Sequence, residues 1–316
     1  METPTTLSQA IEFFADPDNA LRYLAAKRWP DGITCPYCEA KEPMFLSTRT
    51  VWKCRKCRKQ FSVKVGTIFE DSPLPLGKWL IAMWLISNCK NGVSSYEIAR
   101  DLGITQKSAW FMLQRIRKVL QDTKTGKVGG HVEVDETFIG GKARNMHSAK
   151  RRERIKGRGA TGKTVVLGML QRGGKVRATV IEDRDKDTLQ GFVHANVRRG
   201  SKVYTDELLS YYGLDSAFAH RIINHAEEYV RGKVHTNGME NFWSLLKRGL
   251  DGTYISVEPF HLFRYIDEQA FRYNNRKDMS DGDRFALACS KIAGKRLTWD
   301  ELTGKVGPAL GAQPIF

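Results

Sequence analysis

The 316-residue chain contains no apolar run approaching the ~20 residues that a bilayer-spanning helix requires. Its opening stretch, METPTTLSQAIEFFADPDN, lacks a basic segment followed by an apolar one, so nothing suggests export. Cysteine is sparse, with six residues. In the cytoplasmic setting these absences lead us to expect, such thiols stay reduced and serve metal rather than disulfides. Acids are also few. Thirty-five Asp and Glu face 51 Lys and Arg, for a net charge of +16. A surface that basic looks for a polyanion, either nucleic acid or an anionic membrane, and the lack of an apolar segment weakens the second. What is present is otherwise ordinary for a globular protein, at 41% hydrophobic and 27% charged residues. The length, about twice the ~150 residues of a typical domain, predicts two or three folded units.

Two segments carry fourteen of the sixteen excess charges. Lys53, Arg55, Lys56, Arg58, Lys59 and Lys64 form one, with no acid among them. The other, Lys142 to Lys163, holds nine basic residues against Glu153 alone, including Arg151, Arg152, Arg154, Lys156 and Arg158. A charge run is usually a solvated face, but two concentrated patches in one chain point toward phosphate contact. Such contacts position a protein on DNA without reading bases.

Four cysteines form two CxxC pairs, Cys35 with Cys38 (CPYC) and Cys54 with Cys57 (CRKC), separated by fifteen residues. Each turn aims two thiolates at one ion, and the intervening MFLSTRTVWKC alternates as a hairpin. Four sulfurs complete a tetrahedral, structural Zn²⁺ site with no open position, which is a zinc ribbon. A redox CxxC would need one pair rather than two. Cys89 and Cys289 lie in apolar stretches and read as core thiols.

Residues 77–89 (GKWLIAMWLISNC) predict a helix buried on several sides. After it, Ser94 or Ser95 is placed to cap a short helix, Gly103 permits a tight turn and Thr105 caps a second helix. Together these predict a helix-turn-helix, with Gln106, Lys107, Ser108 and Trp110 in the turns that meet base edges.

From residue 131 the pattern changes. HVEVDETFIG alternates as a strand with Glu133, Asp135 and Thr137 on one face. Residues 164–172 and 175–183, joined by Gly173-Gly174, read as a hairpin. A helix over 187–197, strands over 201–207 and 220–225, and a helix over 239–250 follow. Three strands, a helix, two strands and a helix is the element order of an RNase H-like domain. Three acids fall where that fold would gather them: Asp135 in the first strand, Asp206 ending a later one and Glu240 opening the last helix. Clustered carboxylates suit two hard divalent cations that stabilise the attacking and leaving oxygens of a phosphoryl displacement, so Mg²⁺ or Mn²⁺ is expected. Lys247 and Ser244 share a helix face with Glu240, where a cation could hold a phosphate.

The stretches VEVDETFIGG, VYTDELLSYYG, INHAEEYVRGKVHTNGMENFWSLLKRGLDGTY and FRYNNRK resemble DDE-type transposases of bacterial insertion sequences, in the group with an N-terminal zinc ribbon and an ISXO-like catalytic domain. The similarity runs from Cys35 to Lys277. It implies an RNase H-like core whose acidic triad binds two Mg²⁺ ions, cleaves double-stranded DNA at transposon ends and joins a 3′-OH to target DNA. Carried over by motif, Asp135, Asp206 and Glu240 are the catalytic acids and Lys247 the helix-borne cation, with Arg248 beside it as a DNA contact. Some members have Asn as the third residue, so Asn237 and Asn241 are lesser candidates. His225 and His235 flank that segment as supporting or DNA-contacting groups. The resemblance also implies a homo-oligomer on paired ends and a nucleoid-associated bacterial protein.

The expected organisation is an α/β chain: zinc ribbon over 1–72, helix-turn-helix over 73–126, RNase H-like domain over 127–278 and a C-terminal tail over 279–316. GRGATGKT (157–164) satisfies the P-loop pattern, but basic residues precede it and a predicted strand follows, whereas a P-loop lies between strand and helix. The acids Glu182, Asp183, Asp185 and Asp187 sit at a strand-to-helix junction, where capping is the expected role. Aromatic residues such as Phe242, Trp243, Phe263, Tyr265, Phe271 and Tyr273 fall at helical spacings, where core packing is the default and DNA stacking the alternative. The rival from another class is a catalytically silent DNA-binding regulator with the same ribbon and helices. An intact acid triad argues against it.

Overall fold

The computed structural model describes residues 3–122, 126–141, 162–223 and 235–305. They divide into two compact units, residues 3–121 with 275–305, and residues 122–274. In chain order, the first unit runs through α1 (Leu7–Ala15), α2 (Pro17–Arg28), β1 (Met44–Leu46), β2 (Val51–Lys53), β3 (Gln60–Phe61), α3 (Leu76–Asn88), α4 (Ser95–Leu102) and α5 (Gln106–Leu120). The second unit holds β4 (His131–Ile139), β5 (Thr164–Gln171), β6 (Val176–Ile181), α6 (Lys186–Asn196), β7 (Lys202–Thr205), β8 (Ala219–Ile222), α7 (Asn237–Gly249) and α8 (Leu262–Asn274). The chain then returns to the first unit for α9 (Asp281–Cys289) and α10 (Trp299–Leu302).

Six of the described helices begin at a side-chain cap, whereas α3, α6 and α7 have none. Thr6 with Gln9, Ser94 with Glu97, Ser280 with Asp283 and Thr298 with Glu301 are reciprocal capping boxes that satisfy otherwise orphaned amides. Asp16 caps α2 ahead of Pro17, which needs no amide partner at the first helical position. Thr105 caps α5, and Gly103 ends α4 in the left-handed region at φ +57°. Helix α3 buries Trp79, Leu80, Met83, Trp84 and Ile86, as its apolar composition predicts.

The stretch after 279 is not a tail. Phe285 of α9 is fully buried, with its ring 5.7 Å from Phe14, 5.6 Å from Tyr23 and 5.1 Å from Trp84. Burying such a ring contributes about 1.5–3 kcal/mol, which accounts for the return of α9 to this unit. Arg115 adds a polar link, donating from Nε to the Leu297 carbonyl and from Nη1 to those of Ile68 and Glu70.

In the second unit the described strands form one sheet in the order β6-β5-β4-β7-β8. The pairs β4–β5 and β5–β6 are antiparallel, and β4–β7 and β7–β8 are parallel. Strand alternation sorts β4 between two layers. Val132 and Val134 pack into a core with Leu189, Phe192 and Val193 of α6. On the opposite face Glu133 and Asp135 bond to residues of α7, and Val166 and Leu170 of β5 pack with Phe242, Trp243 and Leu246.

Gly168 pairs with Asp135 across β4–β5, and a Cβ there would lie 2.5 Å from Met239 Cε and 2.7 Å from Trp243 Cη2. The bare backbone lets α7 lie close on the sheet. Gly168→Ala is therefore expected to cost about 1–3 kcal/mol in denaturant unfolding. Gly191→Ala in α6, where nothing lies within 4 Å of the added carbon, should instead gain about 0.4–1 kcal/mol. Equal effects from the two substitutions would contradict this packing.

Candidate active site

The four cysteine sulfurs of the ribbon lie within 4.8 Å of one another. Cys35 and Cys57 are 3.7 Å apart and Cys38 and Cys54 3.6 Å apart. Tetrahedral sulfurs at ~2.3 Å from zinc would be about 3.8 Å apart, so the set fits that ion. The two turns repeat one construction. The amide of Glu39 donates to the Cys35 carbonyl and that of Cys35 to Ala40; the amide of Arg58 donates to Cys54 and that of Cys54 to Lys59. Glu39 and Arg58 both occupy the left-handed region, at φ 58° and 63°. The Cys57 amide, first among backbone donors, holds the Cys54 thiol down to about 6, favouring the ligating thiolate. Trp52, buried between β1 and β3, packs its ring 5.1 Å from Phe45 and 6.1 Å from Phe61 and backs the site.

In the second unit Asp135, Glu136 and Asp206 present carboxylate oxygens within 4.8 Å of one another. Asp135 and Glu136 are neighbours in β4, and Asp206 follows the parallel strand β7. Each is oriented. The Trp243 indole of α7 donates to Asp135 Oδ2 at 3.0 Å, and the Glu136 amide to Asp135 Oδ1 at 2.9 Å. The Tyr211 hydroxyl donates to Glu136 Oε2 at 2.9 Å, and Arg184 stands 3.6 Å from Oε1. The Leu208 amide donates to Asp206 Oδ1 at 3.1 Å.

Burial, then the charges of Glu136 and Asp206, push the Asp135 carboxyl up to about 7. Burial and then Asp206 also raise Glu136, against Tyr211 and Arg184. Burial and the Glu136 charge hold Tyr211 well above its ordinary value, so it remains a donor. Among the described residues no ion pair reaches Asp135 or Asp206. A site of three hard oxygen donors, short of positive charge, suits Mg²⁺ or Mn²⁺.

Glu133, one turn of the pleat before Asp135, does a different job. Fully buried, it accepts from the Gly238 amide at 2.8 Å, the Met239 amide at 3.1 Å and Arg172 Nε at 2.7 Å. It thereby tethers the positive N-terminal end of α7 to the sheet. His235 Nδ1 lies 3.4 Å from the same carboxylate.

The structure brings together Asp135 and Asp206 but not Glu240. Glu240 is exposed in the first turn of α7, 3.4 Å from Thr236 Oγ1 and outside the three-carboxylate group. Asn237, Asn241, Lys247 and Arg248 are likewise exposed on α7. Glu136 was missed because alternation assigns it to the opposite face from Asp135; only the adjacent pair Asp-Glu hinted at it. Two expected base readers are engaged within their own unit. Gln106 Nε2 donates to Ser95 Oγ at 2.9 Å, and Lys107 Nζ sits 4.7 Å from the Trp299 ring, which Trp110 also contacts. Lys64 leaves the basic patch, since its amine donates to the Ser72 and Leu74 carbonyls and burial lowers its pKa. Arg151, Arg152, Arg154, Lys156, Arg158 and His225 lie outside the described residues, as does most of the P-loop-like segment, although Thr164 opens strand β5. Asp183, held low by the Thr188 side chain and the Asp185 amide, stands before α6, but the N-cap residue Asp185 makes no side-chain capping bond, so the expected capping by these acids is not seen there.

Residues 127–274 match the family described as the ISXO2-like transposase domain, and residues 16–60 the transposase zinc-ribbon domain. An uncharacterized transposase-like protein of Haemophilus influenzae is 34% identical over 102 residues, 32% of this chain and 82% of the relative. The chain belongs to this transposase family. A Halobacterium salinarum protein, named as an uncharacterized protein in transposable element ISH50, is 28% identical over 253 residues, 76% of this chain and 85% of that protein. The transposase zinc-ribbon match covers both cysteine pairs, and the ISXO2-like match covers all three clustered carboxylates. Among the described residues no helix is long and apolar enough to cross a membrane.

Two measurements probe these sites. The purified transposase should carry one Zn²⁺ per chain by emission spectrometry, and stripping it with a strong chelator should red-shift tryptophan emission as the shell around Trp52 opens. Less than half an equivalent of zinc in protein expressed with zinc present would contradict the ribbon site. The second is pH dependence. Asp135 has a folded pKa of about 7 against an ordinary 3.8, so the stability its protonated form confers is present near pH 4 and lost as pH rises toward 7. Metal-free Asp135→Asn should therefore be more stable than the native chain above pH 7 and lose that advantage near pH 4. Mg²⁺ or Mn²⁺ should narrow the gap at pH 8. A gap that ignores both pH and cation would refute the assignment.

Proposed function

We propose that this transposase binds the terminal inverted repeats of its element, cleaves double-stranded DNA at the ends and transfers the resulting 3′-OH to target DNA. The Asp135–Glu136–Asp206 group within the ISXO2-like domain carries the reading. Its carboxylates are the residues that would hold a pair of Mg²⁺ or Mn²⁺ ions. When bound, such ions stabilise charge on the attacking and leaving oxygens of an in-line displacement. The protein's own contribution is orientation: Trp243 and the Glu136 amide fix Asp135, Tyr211 and Arg184 fix Glu136, and the Leu208 amide fixes Asp206. Glu240 is the family-derived third acid, presented one turn before Trp243. We assign it to complete the ion set from α7, with Lys247 and Arg248 further along the helix meeting DNA phosphates.

The sheet order, three antiparallel strands followed by two parallel to the first, supports an RNase H-like domain. The capped pair α4–α5 around Gly103 supports a helix-turn-helix. The net charge of +16 supports DNA binding with steep salt dependence. The segment carrying Arg151, Arg152, Arg154, Lys156 and Arg158 is assigned to the DNA backbone, and Gln106 and Lys107 to the recognition end of α5. Action as a homo-oligomer on paired ends, in a bacterial cytoplasm at the nucleoid, completes the reading.

The test is Mn²⁺- or Mg²⁺-dependent cleavage of a duplex carrying the element's terminal repeat. Asp135→Asn and Asp206→Asn should bind the duplex but not cut it, and Glu136→Gln should cut at least about tenfold more slowly. If native protein binds and fails to cut in either ion, a DNA-binding regulator is the correct reading. If it cuts without joining 3′ ends to a second duplex, a nuclease or resolvase is.

A further inference from the structure

The second unit contains a cleft that the proposed chemistry does not use. It has a volume of about 490 Å³ and lies where β4 and β7 begin, lined by His131, Arg198, Arg199 and Lys202 together with bare backbone at Gly130 and Gly200. Among the described residues no carboxylate lines it. Both glycines have positive φ, 80° and 78°, and a Cβ on either would meet nothing within 4 Å. The chain thus turns tightly on each side and leaves the cleft floor free of side chains. Arg198 is held by its Nε bond to the Lys127 carbonyl at 3.1 Å, and His131 Nδ1 by the Tyr204 hydroxyl at 2.6 Å. Arg199 and Lys202 are exposed.

Register relates this cleft to the acids. His131 pairs with Lys202 across the parallel strands, and Glu133 with Tyr204. Asp135 lies four residues along β4 from His131, and Asp206 four along from Lys202. Alternation puts both rows on the same sheet face. The separation is about 13 Å at about 3.3 Å per residue. That is close to the ~12 Å width of a major groove. A duplex passing outside the first turn of α7, which covers Glu133 between the two, could present one phosphate to the carboxylates and another, across a groove, to the cations.

We propose that the His131–Arg198–Arg199–Lys202 cleft is a second phosphate site, which grips the DNA backbone one groove width from the acids. This rests on the transposase reading above and adds a second anchoring point to it. The probes are a 30-base-pair duplex and, separately, inorganic phosphate. Acetylation of Lys202 in the full-length, zinc-loaded chain is followed by mass spectrometry. Saturating duplex should slow Lys202 labelling at least fivefold, and an equal concentration of inorganic phosphate should slow it less than twofold. The variant Arg199→Gln/Lys202→Gln, checked for native zinc content and melting temperature, should lower the slope of log affinity against log salt by about 1.8, two contacts' worth. Unchanged Lys202 labelling under saturating duplex overturns the proposal, as does protection by phosphate but not by duplex. The labelling needs no catalysis. Metal-dependent cutting with Lys202 unprotected removes this site alone, and protection of Lys202 without any cutting removes the catalytic reading alone.

Discussion

Three carboxylates with oxygens within 4.8 Å of one another repel, and the rest of the second unit is arranged to hold them there. Two sit side by side on one strand, where the backbone cannot separate them. The third follows a strand hydrogen-bonded in parallel to the first, so ladder geometry brings it alongside. What relief exists comes from neutral donors and one cation: an indole, a phenol, two backbone amides and Arg184. This leaves Asp135 and Glu136 reluctant to ionise. The shortage of positive charge is the same property that would suit the group to divalent cations.

Helix α7 carries the Trp243 bond to Asp135, and its position depends on Glu133. A buried carboxylate without partners would be untenable, but this one takes two amides from the start of α7 and a guanidinium from Arg172. Breaking such a buried pair from one side costs about 3–5 kcal/mol, so the helix start is strongly specified. Gly168 removes the side chain that would otherwise lift α7 from the sheet. Two carboxylates two residues apart on β4 therefore have opposite fates. Glu133 is paired with a guanidinium and two amides, while Asp135 has only neutral donors and lies among other carboxylates.

The first unit is stabilised differently. Its ribbon strands are two or three residues long, too short to hold themselves, and four thiolates around one ion would supply the missing core. The helices close over aromatic rings, with Phe285 returning from beyond the second unit to join Phe14, Tyr23 and Trp84.

Much of this was legible in the amino-acid order. The paired CxxC turns, the capping residues Ser94 and Thr105, the alternation of HVEVDETFIG and the Gly173-Gly174 hairpin are local signals whose physics acts over a few residues. So is the meeting of the Asp135 and Asp206 carboxylates, once their strands are recognised. Contacts between distant segments were not legible. Alternation placed Glu136 away from Asp135, yet adjacent side chains on a strand can still converge at their tips, and Tyr211 and Arg184 draw Glu136 into position. Nothing in the sequence marked Glu133 as a helix tether rather than a ligand. Nor did it mark Lys64 as an internal donor, or the final helices as part of the first core. Residue chemistry and short-range periodicity determined which elements form and which groups can bind metal. The tertiary structure alone decided which carboxylates are satisfied and which remain short of positive charge, because that depends on which donors long-range packing delivers to each one.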